Sequence, residues 1–424
     1  MAMAMSMAMG MAVRRAERLL MARSTASAAR QPPRNWLLRG GIAAVALMLG
    51  YVSTTQTLAF ALIKSDAERA NALAPGDGRV AGALSNKLIT SNTRSVQRLR
   101  AVKLARQALL NEPLTVPAID TLAINTLFAG DTSGARHLFV HSSELSRRDL
   151  STRLWLIEDA VNRGDVPGAL MHYDIALRTS RTASEVLFPV LSKAIADPEI
   201  RSALTKTLST KPLWGADFLG YLGGSGPEPT VSAQFFEHLT IEGVSIPEVA
   251  RITVVNSLAT AGLHENAWSY YRTIRRGASR RQLRDYNFQA PLQTPSVFDW
   301  MPVMNEAGVN ASVNGGVFDF SVPATVGGTV LQQVEVLPPG NYRFGGMSTG
   351  IDQPPESLPY WQLMCIDGRE LGRIEIPNSS ETNGRFSGVV SIGTDCKVQT
   401  LRMVVRASSK VGGVSGQIDR IMIL

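Results

Sequence analysis

The hydrophobic pattern divides the chain into three zones. Residues 40–63 form one apolar stretch without a charged side chain. Across residues 64–285, apolar positions recur at the spacing of amphipathic helices. From residue 307 to residue 424, short β-branched and aromatic runs alternate with Gly, Pro, Asn and Asp clusters, which predicts strands. The pattern therefore predicts a multidomain chain with a transmembrane helix, an all-α region, a linker at residues 286–306 and an all-β sandwich or jelly roll.

The first apolar stretch is long enough to cross a bilayer. At about 1.5 Å per residue it spans roughly 36 Å, against a hydrocarbon core of about 30 Å. Residues 1–39 hold seven arginines and one acid, Glu17, and such basic flanks stay in the cytoplasm. We therefore expect a disordered cytoplasmic tail at residues 1–39, an anchor at residues 40–63 in a bacterial inner membrane, and the remaining chain in the periplasm.

A cleaved signal peptide is the alternative interpretation of the same stretch. Ala59, Phe60 and Ala61 fit the small-x-small pattern of a cleavage site. Against cleavage, the basic segment before the apolar stretch is long for a signal peptide. Both interpretations send the rest of the chain to the same side of the membrane.

The charge and the cysteines narrow the choice of partners. Most of the formal net charge of +8 lies in the tail, whereas a nucleic-acid binder needs its positive charge on a folded face. We therefore expect no nucleic-acid partner.

The two cysteines, Cys365 and Cys396, lie in the strand-rich zone, and in an oxidising compartment such a pair predicts a disulfide rather than a metal site. We expect no cofactor and no bound metal.

An internal repeat runs through the helical zone. Residues 122–149 and 156–183 align without a gap at an offset of 34, and the stripe continues upstream. In each copy a small residue is followed four positions later by a second stripe residue, and three positions after that by another small residue. These positions lie on one face of a helix, so a neighbouring helix can approach that face closely. The residues of this stripe are Ala101, Ala105, Ala108, Ala135, Phe139, Ala169, Tyr173 and Ala176.

The 34-residue period and this stripe resemble the tetratricopeptide repeat (TPR). The Trp and the Leu-Gly pair of the family's first helix are largely missing, so the copies are degenerate. The resemblance implies an α-solenoid over residues 64–285. Solenoids of this kind use extended surfaces to hold a protein partner.

The strand-rich zone resembles the galactose-binding-like jelly rolls of carbohydrate-binding modules. The resemblance rests on residues 337–344 (LPPGNYRF) and on the closing residues 416–421 (GQIDRI). It implies contact with an envelope polysaccharide or exopolysaccharide. Aromatic side chains would carry that contact, and the candidates are Tyr360, Trp300 and Tyr342.

The sequence contains no Gly-x-Ser-x-Gly elbow, phosphate-binding loop or dinucleotide fingerprint, and we predict no catalytic residue. The favoured function is a non-enzymatic scaffold that is anchored in the membrane. In this interpretation the helical array binds a protein and the sandwich touches glycan. Two alternatives stay open: a divergent polysaccharide-modifying enzyme, and a pure protein-assembly factor without glycan binding.

Overall fold

The computed structural model describes residues 33–91, 95–290, 293–304 and 308–424. The chain forms two compact units, Met1–Ser146 and Arg147–Leu424. Most of the tail predicted at residues 1–39 lies outside the described residues.

The first unit contains a long apolar helix followed by shorter amphipathic helices. Their bounds are α1 Pro33–Leu62, α2 Ala67–Leu73, α3 Gly78–Ser91, α4 Ser95–Asn111, α5 Val116–Phe128 and α6 Thr132–Leu145. Within α1, Trp36–Leu62 is long and apolar enough to cross a membrane. The anchor predicted at residues 40–63 thus lies almost wholly inside α1, which begins earlier and ends at Leu62.

The end of α1 packs onto the helices that follow it. Ala59 is fully buried in a small cluster with Ala70, Ala74 and Val80. One turn of the apolar helix therefore belongs to the core of the folded unit.

The second unit begins with eight helices and continues into the strands. The helices are α7 Leu150–Asn162, α8 Val166–Thr179, α9 Ala183–Ala194, α10 Pro198–Ser209, α11 Gly215–Ser225, α12 Pro229–Ile241, α13 Glu248–Thr260 and α14 His264–Ile274. Their facing sides form one hydrophobic core, which includes Phe218, Phe236 and Trp268.

The 34-residue period of the sequence is also the period of the helices. Helices α5 and α6 begin and end 34 residues before α7 and α8. Gly130 and Gly164 end the first helix of each pair at φ +85° and +70°, a conformation that favours glycine. Asp131 and Asp165 then cap the second helix by accepting the amide three residues later. The TPR-like array is confirmed.

The small residues of the repeat stripe lie where helices approach most closely. All eight stripe residues are buried. A Cβ added at Gly78 on α3 would lie 2.7 Å from the carbonyl oxygen of Ala108 on α4. Larger side chains at this contact would push the two helices apart.

The strands form two five-stranded antiparallel sheets with a core between them. Their bounds are β1 Met301–Pro302, β2 Asn310–Asn314, β3 Val317–Val322, β4 Gly328–Glu335, β5 Gly340–Thr349, β6 Tyr360–Cys365, β7 Glu370–Glu375, β8 Arg385–Ile392, β9 Gln399–Val405 and β10 Val414–Ile423. The sheet orders are β1-β4-β9-β6-β7 and β2-β3-β10-β5-β8. Two short turns of helix, Pro355–Ser357 and Ser379–Thr382, lie between strands. This is the sandwich that the sequence pattern predicts.

The segment expected as a linker, residues 286–306, is anchored to the cores on both sides by buried aromatic side chains. Phe298 joins the helical core and Trp300 joins the core of the sandwich. Met301–Pro302 pairs with β4. The segment thus connects the two regions through large aromatic side chains, which gain more from burial than from solvent exposure.

Candidate functional site

The three aromatic candidates for glycan contact do not form an open surface. Tyr360 is half-buried on the outer face of β6. The guanidinium carbons of Arg373 and Arg406 lie 4.4 Å and 4.7 Å from its ring centroid. Each cation–π contact contributes about 0.5–1 kcal/mol at an exposed site. A sugar that stacks on Tyr360 must first displace these arginines.

Tyr342 and Trp300 are also engaged with the protein. The hydroxyl of Tyr342 donates a 2.7 Å hydrogen bond to the carbonyl of Pro338. Trp300 is only 2% exposed, and its indole N–H donates to the carbonyl of Asp285 over 3.0 Å. The Trp300 ring, one of the three glycan-contact candidates, lies in the sandwich core with its centroid 5.8 Å from that of Trp361.

Cys365 and Cys396 form a disulfide with their Cα atoms 5.8 Å apart. Cys365 ends β6 and Cys396 lies just before β9, the neighbouring strand in the sheet. Both side chains are buried in the sandwich core. Among the described residues, no three His, Cys, Asp or Glu side chains lie together in a way that could hold a metal ion.

A cleft of about 720 Å³ opens where the segment after α14 meets the β2–β3 hairpin. Asp285, Gln289 and Gln293 line it on one side, and Asn314 lines it from the hairpin. Trp300 also borders it. No Lys or Arg is among the described residues that line this cleft. We call it the junction cleft.

Asp285 organises one wall of the junction cleft. Its φ of +55° lies in the left-handed region, which Asp tolerates better than most residues. Its Oδ1 accepts the amides of Gln289 at 2.7 Å and Ala290 at 2.9 Å. Its Oδ2 is buried and has no hydrogen-bond partner among the described residues. Burial raises the pKa of this carboxyl group.

The hairpin forms the opposite wall. Gly315 and Gly316 have φ of +61° and +87°, and two successive positive φ values suit the tight turn of a two-residue hairpin. A Cβ added at Gly316 would lie 3.5 Å from Cγ of Gln289. The hairpin tip therefore lies close to Gln289 on the opposite wall.

A second depression of about 370 Å³ adjoins the cleft and shares Asp285 and Gln289 with it. Tyr286, which also lines it, is 50% exposed. Its carbonyl accepts the amide of Ile421 on β10 at 2.8 Å. Sequence reasoning missed these residues because they straddle the predicted boundary between the helical zone and the linker. The signal available there was the aromatic pair at Tyr286 and Phe288.

The first unit presents a different kind of surface on α4. The fully buried residues of this helix are Ala101, Ala105 and Ala108, while three of its large aliphatic side chains are exposed. Val96, Leu99 and Leu110 are 74%, 71% and 85% exposed. Lys103 and Arg106 lie on the same side at helical spacing and are exposed. These five exposed residues together are called the α4 face.

Several acids of the sandwich form surface ion pairs. Glu370 pairs with Arg373, Glu375 with Arg406, and Asp352 with Lys410. A glycosidase instead needs two carboxyl groups across a cleft. Asp285 is the one carboxyl group among the described residues that line the junction cleft.

No family model matches the chain, and no curated protein matches it. Among solved structures, a carbohydrate-binding module described as "CBM4 structure and function" overlaps 33% of this chain and 97% of its own, with 12% identity and a TM-score of 0.25. PilF of Pseudomonas aeruginosa overlaps 54% of this chain and 94% of its own, with 12% identity and a TM-score of 0.26. The Glycosylation Associate Protein (Gap123) complex of Streptococcus agalactiae overlaps 28% and 39%, with 8% identity and a TM-score of 0.20. TM-scores this low carry no argument about function.

The class of protein is therefore defined by the chain's own fold. It combines an apolar helix of membrane-spanning length, a TPR-like helical array and a two-sheet antiparallel β-sandwich.

Proposed function

We propose that this chain is a non-enzymatic scaffold of the bacterial envelope, in which α1 is the inner-membrane anchor and the rest is periplasmic. The helical array holds a protein partner, and the sandwich contacts saccharide. The observation that carries the proposal is the α4 face, where three large aliphatic side chains are exposed beside two cations.

The packing of Ala59 supports a retained anchor. Cleavage after Ala61 would remove Ala59 from its cluster with Ala70, Ala74 and Val80. A signal peptide that is cleaved off cannot contribute to the core of the mature unit. The apolar helix is therefore better interpreted as a permanent part of the protein.

The α4 face favours a particular kind of partner. Burial of an exposed Val or Leu side chain contributes about 1.5–3 kcal/mol, so Val96, Leu99 and Leu110 offer enough apolar surface for stable binding. Lys103 and Arg106 have no ion-pair partner among the described residues, which favours acidic groups on the partner. The chain's own tail, with seven arginines and one acid, has the wrong charge. The partner that fits is an amphipathic helix with acidic flanks.

Site-specific photo-crosslinking in intact cells tests the proposal. A photoreactive residue at Leu99 or Leu110 is expected to give one discrete protein adduct. The control is the same residue at His137, which is exposed on α6 outside the α4 face. Adducts to lipid alone, or equal labelling at His137, would contradict a protein-binding scaffold.

A further inference from the structure

We infer that the junction cleft is a binding site for an uncharged saccharide. The inference deepens the proposed function, because it rests on the saccharide contact of the sandwich and assigns its place and ligand class. It also moves that contact away from Tyr360, where two arginines cover the ring.

The hydrogen-bonding groups of the cleft match a ligand rich in hydroxyl groups. Gln289, Gln293 and Asn314 each present an amide that donates and accepts. Asp285 adds a half-buried carboxyl group to this lining.

The apolar part of the lining fits the C–H faces of a sugar ring. Pro295, Pro302 and Val313 line the cleft beside Trp300. The volume of about 720 Å³ lies within the range of roughly 300–1,000 Å³ that is usual for small-ligand sites. The cleft therefore has room for more than a single small solute.

The charge of the lining selects among saccharides. Phosphate, sulfate and carboxylate groups are normally held by Arg or Lys, and the described lining contains neither. Asp285 would also repel an anionic ligand. A cationic sugar could form an ion pair with Asp285. The other polar side chains of the lining are three amides, however, and amides are suited to neutral hydroxyl groups. The ligand class is therefore an uncharged oligosaccharide.

The test uses the full chain in lipid nanodiscs on an array that holds neutral, acidic and amino oligosaccharides, followed by titration calorimetry. The expected result is saturable binding to neutral glycans. Gln289→Ala and Asn314→Ala should each weaken this binding at least fivefold. Gln362→Ala is the matched control, because this amide lies on the outer face of β6 in the other sheet. Tyr360→Ala tests the alternative surface.

The outcomes separate the inference from the proposed function. Neutral binding that Tyr360→Ala removes and Gln289→Ala leaves intact would overturn the junction cleft but keep the saccharide contact. Binding only to acidic or amino glycans would overturn the ligand class. Failure to bind any glycan would overturn the inference and the saccharide contact together, while the crosslinking result at the α4 face would still decide the protein-binding role. Unchanged circular dichroism of each variant controls for folding.

Discussion

The hydroxyl of Tyr271 donates a 2.6 Å hydrogen bond to Oδ1 of Asp299, and this bond joins the last helix of the array to the segment that enters the sandwich. The backbone and hydroxyl of Ser296 donate to the other carboxylate oxygen at 3.0 Å and 2.8 Å. Arg284 donates through Nε to the Tyr271 oxygen at 3.0 Å. Because Asp299 is fully buried, these bonds hold the segment in one position on α14.

Loss of the Tyr271 hydroxyl should therefore weaken the second unit. In Tyr271→Phe, the carboxylate of Asp299 loses a donor that water cannot readily replace, and the expected cost is about 1–3 kcal/mol of unfolding free energy. Chemical denaturation of the full chain measures it. Tyr360→Phe is the control, because that hydroxyl is not buried in a network. Equal stability of the two variants would show that the Tyr271–Asp299 bond contributes nothing measurable.

Glu335 should make the sandwich less stable as pH rises. Its side chain is buried between the sheets, and its Oε1 has no hydrogen-bond partner among the described residues. Burial raises the pKa of Glu335 well above its ordinary value. Above the unfolded pKa of about 4.3, the unfolded chain releases a proton that the folded chain keeps, so unfolding becomes more favourable by at most about 1.4 kcal/mol per pH unit. This loss ends once pH exceeds the folded pKa.

Denaturant titrations between pH 5 and pH 8 check this expectation. Glu335→Gln should flatten the decline in unfolding free energy, because the amide does not titrate. Glu375→Gln, at an exposed ion pair with Arg406, should leave the decline in place. A decline that persists unchanged in Glu335→Gln would assign the pH dependence to other groups.

The disulfide should contribute strongly to the stability of the sandwich. Cys365 and Cys396 are 31 residues apart in sequence, and closing a loop of that length in the unfolded chain corresponds to about 3–4 kcal/mol. Replacing both cysteines with Ala should lower the unfolding free energy by a similar amount. Protein prepared from membranes without reductant should resist thiol alkylation until it is unfolded and reduced. Free thiols in that preparation would argue against an oxidising compartment.

The anchor should remain on the mature protein. Intact-mass measurement of protein purified from membranes is expected to include residues 40–63, because Ala59 is part of the folded core. Ala59→Leu should destabilise the first unit by about 1–3 kcal/mol through overpacking, whereas Ala61→Leu, at an exposed position, should not. A mature protein that begins at Leu62 would instead identify a cleaved signal peptide.

Local patterns predicted the elements well, whereas the candidate site depended on distant parts of the chain. The 34-residue stripe marked α5 to α8, since a helix face is set by residues three and four apart. The sequence offers Tyr360 as an aromatic candidate, but it cannot show that Arg373 on β7 and Arg406 after β9 lie over the ring. The partners of Trp300 lie similarly far away in sequence.

The junction cleft could not be read from the sequence for the same reason. Its walls come from the segment around Asp285 and from the hairpin at Gly315 and Gly316. Asp285 adopts a left-handed conformation and accepts the amides of Gln289 and Ala290, and the sequence there has no periodic pattern. Only the folded chain shows that the two walls meet.

The most direct test of the central claim is a charge reversal on the α4 face combined with photo-crosslinking at Leu99. Lys103→Glu together with Arg106→Glu keeps the helix propensity and the apolar residues, but it repels an acidic partner. The account predicts that the Leu99 protein adduct falls at least tenfold, while Arg148→Glu, a reversal outside the α4 face, leaves it unchanged. An adduct of undiminished yield in the double variant would contradict a scaffold that binds its partner through this surface.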